Sequence, residues 1–375
     1  MNSELKLKKH IKIHLIVGAR PNFMKIAPLY QEFSRYPEKF TLKLVHTGQH
    51  YDERMSKFFF DDLALPHPAE YLEVGSGFHG EQTAKIMDRY EKVLIADHPD
   101  LVIVAGDVNS TLACALDAAK LHIPVAHLEA GLRSFDRRMP EEINRLLTDT
   151  IADYLLTPSR DADLNLINEG IPNNKIYFVG NIMIDSLIRH KEKAQTSQIL
   201  KKLNLEEKQY GLITLHRPSN VDHQNGLKTI FSAFEQIAKK LKLIFPIHPR
   251  TRKMIRQFGM EEKVNNIQDL ALIEPVGYYD FLKLQMEARF LLTDSGGIQE
   301  ETTWFGIPCL TLRPNTERPI TISEGTNQLV EFKTDMIVNA VDRILKGNIK
   351  KGKIPEYWDG KTAERIVQFF LKELH

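Results

Sequence analysis

Short apolar runs alternate with stretches of helical period along the whole chain. In the first half the runs are 11-IKIHLIVG, 42-LKLVHTG, 101-LVIVAGD, 125-VAHLEAG, 154-YLLTPS and 176-IYFVGN, with helical patterns such as 109-NSTLACALDAAKL between them. The second half repeats the style in 211-GLITLHR, 243-LIFPIHP, 271-ALIEPV, 290-FLLTDSGG and 308-PCLTL. Runs this short, bounded by turn residues and followed by amphipathic segments, predict βαβ units and parallel sheets. The stretch 187-LIRHKEKAQTSQILKKLNLEEKQ-209 interrupts the rhythm, being charged and weakly patterned, and predicts a linker near 183–190. The expected fold is α/β, with two doubly wound, Rossmann-like domains over 1–184 and 185–360. The apolar face of 361-KTAERIVQFFLKEL-374 predicts that the last helix, within 361–375, packs back on the first domain.

Open α/β sheets bind ligands outside the carboxyl ends of their strands. The residues just past each predicted strand are therefore the first to weigh: Arg20, Gln49 and His50, Asp107, Glu129, His216, His248 and the group Asp294-Ser295-Gly296-Gly297. That set is unusually polar, and several members admit two readings. In 294-DSGGIQEE-301 the glycines let backbone N–H groups approach a phosphate at a helix N-terminus, and Glu300 and Glu301 stand where a carboxylate reaches ribose hydroxyls. An ordinary helix cap accounts for the same residues. Arg20 and Lys25 in 18-GARPNFMK-25 suit phosphate, or plain surface charge. Asp107 suits chemistry at a strand end, or the N-cap of the next helix. Glu141 and Arg145 stand four apart and share a helix face, either as a surface ion pair or as a carboxylate tuned by an arginine. Glu142 is expected to face solvent, and Asp136, Arg137 and Arg138 to form a solvated loop. His216 and His248, from neighbouring strands, suggest phosphate or hydroxyl recognition. Glu317 and Arg318 sit in the polar loop 313-RPNTERPITISEGTN-327, which could close over a ligand or stay solvated.

Composition narrows the classes. The chain has 375 residues, 42% hydrophobic, and a net charge of +1. That length suits two domains, and the charge gives no case for nucleic acid or an anionic membrane. No apolar run approaches the roughly 20 residues that span a bilayer. Two cysteines, Cys114 and Cys309, in small or apolar settings argue for a reducing compartment, with neither a disulfide frame nor a zinc site. The start MNSELKLKKH lacks a signal-peptide core, so a cytoplasmic protein is expected. G-x-G-x-x-G, Walker A, G-x-S-x-G and H-E-x-x-H are all absent, so neither a nicotinamide site nor a metal is expected.

Taken in order, GARP at 18–21, TGQH at 47–50, 106-GDVNSTLA-113, HLEAGLRS at 127–134, PEEINR at 140–145, LHR at 215–217, FPIHPR at 245–250, LTDSGGIQEE at 292–301 and NTERP at 315–319 resemble the non-hydrolysing UDP-N-acetylglucosamine 2-epimerases. The resemblance implies two facing Rossmann-like halves in the glycosyltransferase-B arrangement, an active site in the interdomain cleft, a homodimer, and no metal or other cofactor. It implies inversion at C2 of UDP-N-acetylglucosamine by elimination of UDP to a 2-acetamidoglucal and re-addition. By motif, Asp107, Glu129 and Glu141 resemble the catalytic carboxylates, His216 the group aiding departure of the diphosphate, and Arg145 the partner that positions the carboxylates. Arg20, Lys25, His248, Ser295, Gly296, Gly297, Glu301 and Arg318 resemble the UDP-binding set, and Phe281 stands where the family packs against uracil. Many bacterial members have HRRE where this chain has 216-HRPS-219, and differ after the TGQH motif. A second, activating UDP-sugar site is accordingly not carried over. The alternatives are a hydrolysing epimerase releasing UDP and N-acetylmannosamine, a 2-epimerase of a UDP-2,3-diacetamido uronic acid, a glycosyltransferase of the same fold, and a non-catalytic UDP-sugar sensor.

Overall fold

The computed structural model describes residues 10–48, 63 and 65–373. Gln49 and His50 of the TGQH motif lie outside them. The chain divides into two compact units, Met1–Ser186 with Glu356–His375, and Leu187–Pro355.

Among the described residues the first unit holds seven parallel strands: β1 (Ile11–Val17), β2 (Phe40–His46), β3 (Glu70–Tyr71), β4 (Leu101–Ala105), β5 (Val125–Leu128), β6 (Tyr154–Thr157) and β7 (Ile176–Phe178). Their order in the sheet is β3-β2-β1-β4-β5-β6-β7. Every residue of β4 and β5 is buried, as expected for strands covered on both faces. The chain reverses its winding between β1 and β4, and a doubly wound sheet opens a crevice at such a switch point. Here Asn22 spans it, accepting from the Ala19 amide at 2.9 Å and donating to the Ala105 carbonyl at 2.8 Å.

The second unit has its own parallel sheet from β8 (Tyr210–Thr214), β9 (Lys242–Pro246), β10 (Leu270–Ile273), β11 (Phe290–Thr293), β12 (Cys309–Thr311) and β13 (Asn327–Leu329), in the order β10-β9-β8-β11-β12-β13. Alternate residues face opposite sides. Ile213, Phe245 and Leu292 join a core with Phe231 and Phe234, while Leu212, Ile244 and Leu291 join another with Leu284 and Ile307. The switch point falls between β8 and β11.

Three stretches differ from the sequence reading. Residues 183–190, read as a linker, lie inside the helix Ile182–Gln195, and the division between units falls within it. Ile182, Ile184 and Leu187 are buried, which anchors a segment whose later charges hide its period. The edge strands β3 and β13 carry too few apolar residues to stand out as runs. The helix Thr362–Glu373 packs within the first unit, where the Phe370 ring lies 5.4 Å from that of Tyr154. Its first amides, of Thr362 and Ala363, donate to the Asp185 carboxylate at 3.1 and 2.8 Å. No helix among the described residues is long and apolar enough to cross a membrane.

Candidate active site

In the first unit four sequence motifs meet at the carboxyl ends of β1, β2, β4 and β5. Helix α1 (Arg20–Phe33) starts directly after β1, with Arg20 at its first position and Pro21, which has no N–H to satisfy, in the first turn. Gly18 is needed for space: a Cβ there would stand 2.2 Å from Ser110 Oγ and 2.8 Å from Thr47 Oγ1. That contact draws together the GARP, TGQH and GDVNST stretches.

Glu129 follows β5 with φ of 70°, a left-handed conformation that costs a non-glycine residue on the order of 1 kcal/mol or more. The turn brings its buried carboxylate to the Lys25 ammonium, 2.5 Å away. Lys25 is itself buried, so the resemblance's phosphate ligand is held in an ion pair with a carboxylate. Gly106, φ 71°, lies against both: a Cβ there would meet Lys25 Nζ at 2.6 Å and Glu129 Oε2 at 3.8 Å. Asp107 is the next residue, and Ala105 pairs in register with Leu128, so the two acidic residues follow adjacent strand ends. Asp107 does not cap the following helix, α2 (Asn109–Lys120), whose N-cap is Val108. Its carboxylate instead receives Arg145 Nη1, and its carbonyl accepts from Asn144 Nδ2 at 2.9 Å.

Arg145 corrects the sequence reading. Its partner on α3 (Pro140–Ile151) is Glu142, at 2.6 Å, rather than Glu141. Positions three apart share a helix face as well as positions four apart. Glu142 is buried, and also accepts from the Ser134 amide at 3.0 Å and the Phe135 amide at 2.8 Å. Burial alone would raise its pKa; the Ser134 amide and the Arg145 guanidinium overcome that and hold it below the ordinary value. Glu141 stands exposed on the first turn. Arg137 and Arg138 are exposed, with Asp136 paired to Arg138 at 2.8 Å. Behind this group His127 makes two contacts that the sequence did not signal, to the Asp149 carboxylate at 2.6 Å and the Gly106 carbonyl at 2.8 Å.

In the second unit the switch point is organised by Asp294, fully buried at the end of β11. Its carboxylate accepts from the amides of His216 and Arg217, at 3.0 and 2.9 Å, and from Asn220 Nδ2 at 3.1 Å, and its Oδ1 stands 3.0 Å from His216 Nδ1. Burial raises its pKa, but the His216 contact and these amides bring it below the ordinary carboxylate value. The simple capping role is thus not what Asp294 plays. Ser295 is the N-cap of α4 (Gly296–Phe305), and its side chain makes no capping bond. Gly296 and Gly297 differ: a Cβ on Gly296 would stand 2.5 Å from Glu317 Oε1 and 2.7 Å from Arg318 Nη1, whereas one on Gly297 meets nothing within 4 Å. Arg318 is clamped between two buried carboxylates, Glu300 at 2.8 Å and Glu317 at 2.7 Å. Glu301 is buried one position on.

His248 is the N-cap of the helix Pro249–Gln257, and its Nδ1 accepts from the Arg250 amide at 3.1 Å. Its ring centroid lies 5.4 Å from that of His216. Partial burial, then the neighbouring His216 and Arg250, keep its pKa below the usual histidine value. Phe281 packs half-buried against the core of Leu212, Ile244 and Leu284. Among the described residues no group of three or more His, Cys, Asp or Glu side chains could hold a metal ion.

The comparisons with known proteins agree on one family. A family model described as UDP-N-acetylglucosamine 2-epimerase matches residues 32–371. A UDP-N-acetylglucosamine 2-epimerase homolog of Methanococcus maripaludis is 47% identical over 360 residues, 96% of this chain and 99% of its own. A UDP-2,3-diacetamido-2,3-dideoxy-D-glucuronate 2-epimerase of Pseudomonas aeruginosa is 40% identical over 368 residues, 96% of this chain and 100% of its own. The crystal structure of Methanocaldococcus jannaschii UDP-GlcNAc 2-epimerase in complex with UDP-GlcNAc and UDP matches with a TM-score of 0.88 at 44% identity, covering 96% of this chain and 100% of that one. The apo lipopolysaccharide outer core galactosyltransferase WaaB shares the fold alone, at a TM-score of 0.52 and 18% identity, which marks the architecture as glycosyltransferase-B-like. With likeness of this strength along nearly its whole length, the chain belongs to the UDP-N-acetylglucosamine 2-epimerase family.

Proposed function

We propose that the protein interconverts UDP-N-acetylglucosamine and UDP-N-acetylmannosamine by inverting C2. Near-full-length likeness to epimerases carries this reading. The chemistry starts from a C2 proton of low acidity. A carboxylate takes that proton, the C2–H electrons form the C1=C2 bond, and the C1–O pair leaves with UDP. Re-addition of UDP to C1, with proton delivery to the other face of C2, completes the inversion. Asp107, Glu129 and Glu141 are the acid and base groups in this reading. The strained turn at Glu129 and its pairing with Lys25 support it, because off-pattern backbone and buried charge concentrate at working sites. Arg145 positions Asp107. His216 faces the diphosphate, and Arg20, His248, Ser295, Gly296 and Gly297 receive its phosphates at a helix N-terminus. Glu301 receives the ribose, Phe281 packs beside the uracil, and Arg318 steadies the phosphate turn. Lys25 acts on the carboxylate side rather than as a free phosphate ligand. The enzyme works as a cytoplasmic homodimer without a cofactor.

Proton NMR of the protein with UDP-N-acetylglucosamine in deuterated water tests this. Appearance of UDP-N-acetylmannosamine deuterated at C2 is expected. Accumulation of free N-acetylmannosamine and UDP would replace the reading with a hydrolysing epimerase. The Pseudomonas aeruginosa relative favours a second reading, a UDP-2,3-diacetamido uronic acid as substrate. That sugar turning over while UDP-N-acetylglucosamine does not would establish it.

A further inference from the structure

We propose that Asp294 is the positioning residue of His216, fixing its tautomer and ring orientation so that Nε2 is the nitrogen presented to the departing diphosphate. The first support is the hydrogen-bond inventory of the two side chains. The Asp294 carboxylate only accepts, so the His216 nitrogen 3.0 Å away carries the hydrogen at Nδ1. Nε2 has no partner among the described residues, on a side chain 40% exposed. The second support is the strap that holds the ring. The same carboxylate accepts from the His216 and Arg217 amides and from Asn220 Nδ2, so backbone and ring of 216-HRPSN-220 share one anchor. Arg217 Nε returns a bond to the Asp294 carbonyl at 2.9 Å. The anchor is inaccessible to solvent and keeps its charge, since those donors hold its pKa below the ordinary value. A third observation is the contrast with His248. There Nδ1 accepts from the Arg250 amide, so the hydrogen lies on Nε2. Two rings 5.4 Å apart are thus set in opposite tautomers by different partners. His248 in its neutral form offers a hydrogen bond from Nε2, while His216 can accept at Nε2 or, when protonated, donate there. A buried carboxylate that orients a working imidazole in this way governs rate more than binding.

The catalytic consequence rests on the epimerase reading; the tautomer does not, so the test has two parts. Protein labelled with 15N histidine is examined by long-range proton–nitrogen NMR, with the His216 signals assigned by their loss in His216→Asn. Neutral His216 is expected as the Nδ1–H form in the wild type, and an Nε2–H form or an averaged mixture would overturn the proposal whatever the substrate proves to be. In turnover assays Asp294→Asn is expected to lower kcat on the order of 10²-fold with little change in KM. Combined with His216→Asn it should add almost nothing to the loss of that single variant. Losses that multiply in the double variant would show that Asp294 acts independently of His216, and would equally overturn the proposal.

Discussion

The buried pair Lys25–Glu129 offers the sharpest test of how the first unit is held together. Both side chains are nearly inaccessible, with 8% and 4% of their surface exposed, and the charges stand 2.5 Å apart. Replacing Lys25 by Met keeps the stem and removes the charge, taking away the ammonium 2.5 Å from the buried Glu129 carboxylate. Breaking a buried pair from one side costs about 3–5 kcal/mol, because one charge stays buried without that partner. In a unit of roughly 200 residues each kcal/mol moves the melting temperature by about 2–4 °C. Lys25→Met should therefore melt about 10 °C below the wild type. Adding Glu129→Gln removes the buried carboxylate charge as well and should restore part of the loss. Trp358, buried in the first unit with Nε1 donating to the Pro158 carbonyl at 3.1 Å, reports the transition by fluorescence once Trp304 is replaced by Phe. A loss no greater than the ~1 kcal/mol typical of an exposed pair would refute the reasoning. A double variant as unstable as the single would refute it too.

Further predictions concern glycine, arginine and pH. Gly296→Ala should weaken UDP binding by displacing the Glu317–Arg318 pair, at a cost of about 1–3 kcal/mol for overpacking, whereas Gly297→Ala, with open space around its Cβ, should fold normally; titration calorimetry and melting curves separate them. Arg145→Lys loses the fork that spans Asp107 and Glu142, and should lower kcat about 10- to 100-fold in steady-state assays. Burial, then the nearby Glu91, pushes the Asp117 carboxyl up to about 7. Because its folded pKa lies above its unfolded one, its contribution favours folding at low pH and is lost as pH rises from about 4 through 7. Asp117→Asn should therefore stabilise the protein by about 2–4 kcal/mol at pH 8 and by little at pH 4, as read from denaturant unfolding at each pH.

Much of this was legible in the chain. Eleven strands announce themselves as apolar runs because parallel strands covered on both faces need them. Strand ends carry Asp107, Glu129, His216, His248 and Asp294 in plain view. What stayed hidden depends on contacts between distant residues. Lys25 and Glu129 lie 104 positions apart, and no local pattern pairs them. Glu142 looks solvated in the sequence because its partners, the Ser134 and Phe135 amides, belong to the loop before its helix. Asp294 looked like a helix cap because its real partners follow β8, which becomes its neighbour only once the sheet order is known.

The path of the chain also sets an order of assembly. The first unit is interrupted after Ser186 and resumes at Glu356, so along the chain the second unit is an insertion in the first. During synthesis the enclosed unit is complete first. The enclosing one must wait with the seats of Trp358, Ile366 and Phe370 unfilled and the Asp185 carboxylate lacking the two amides it will cap. Domains usually mature from the N-terminus onward. In this protein the segment made earliest is among the last to become whole, and for that interval its apolar surface is a target for chaperones.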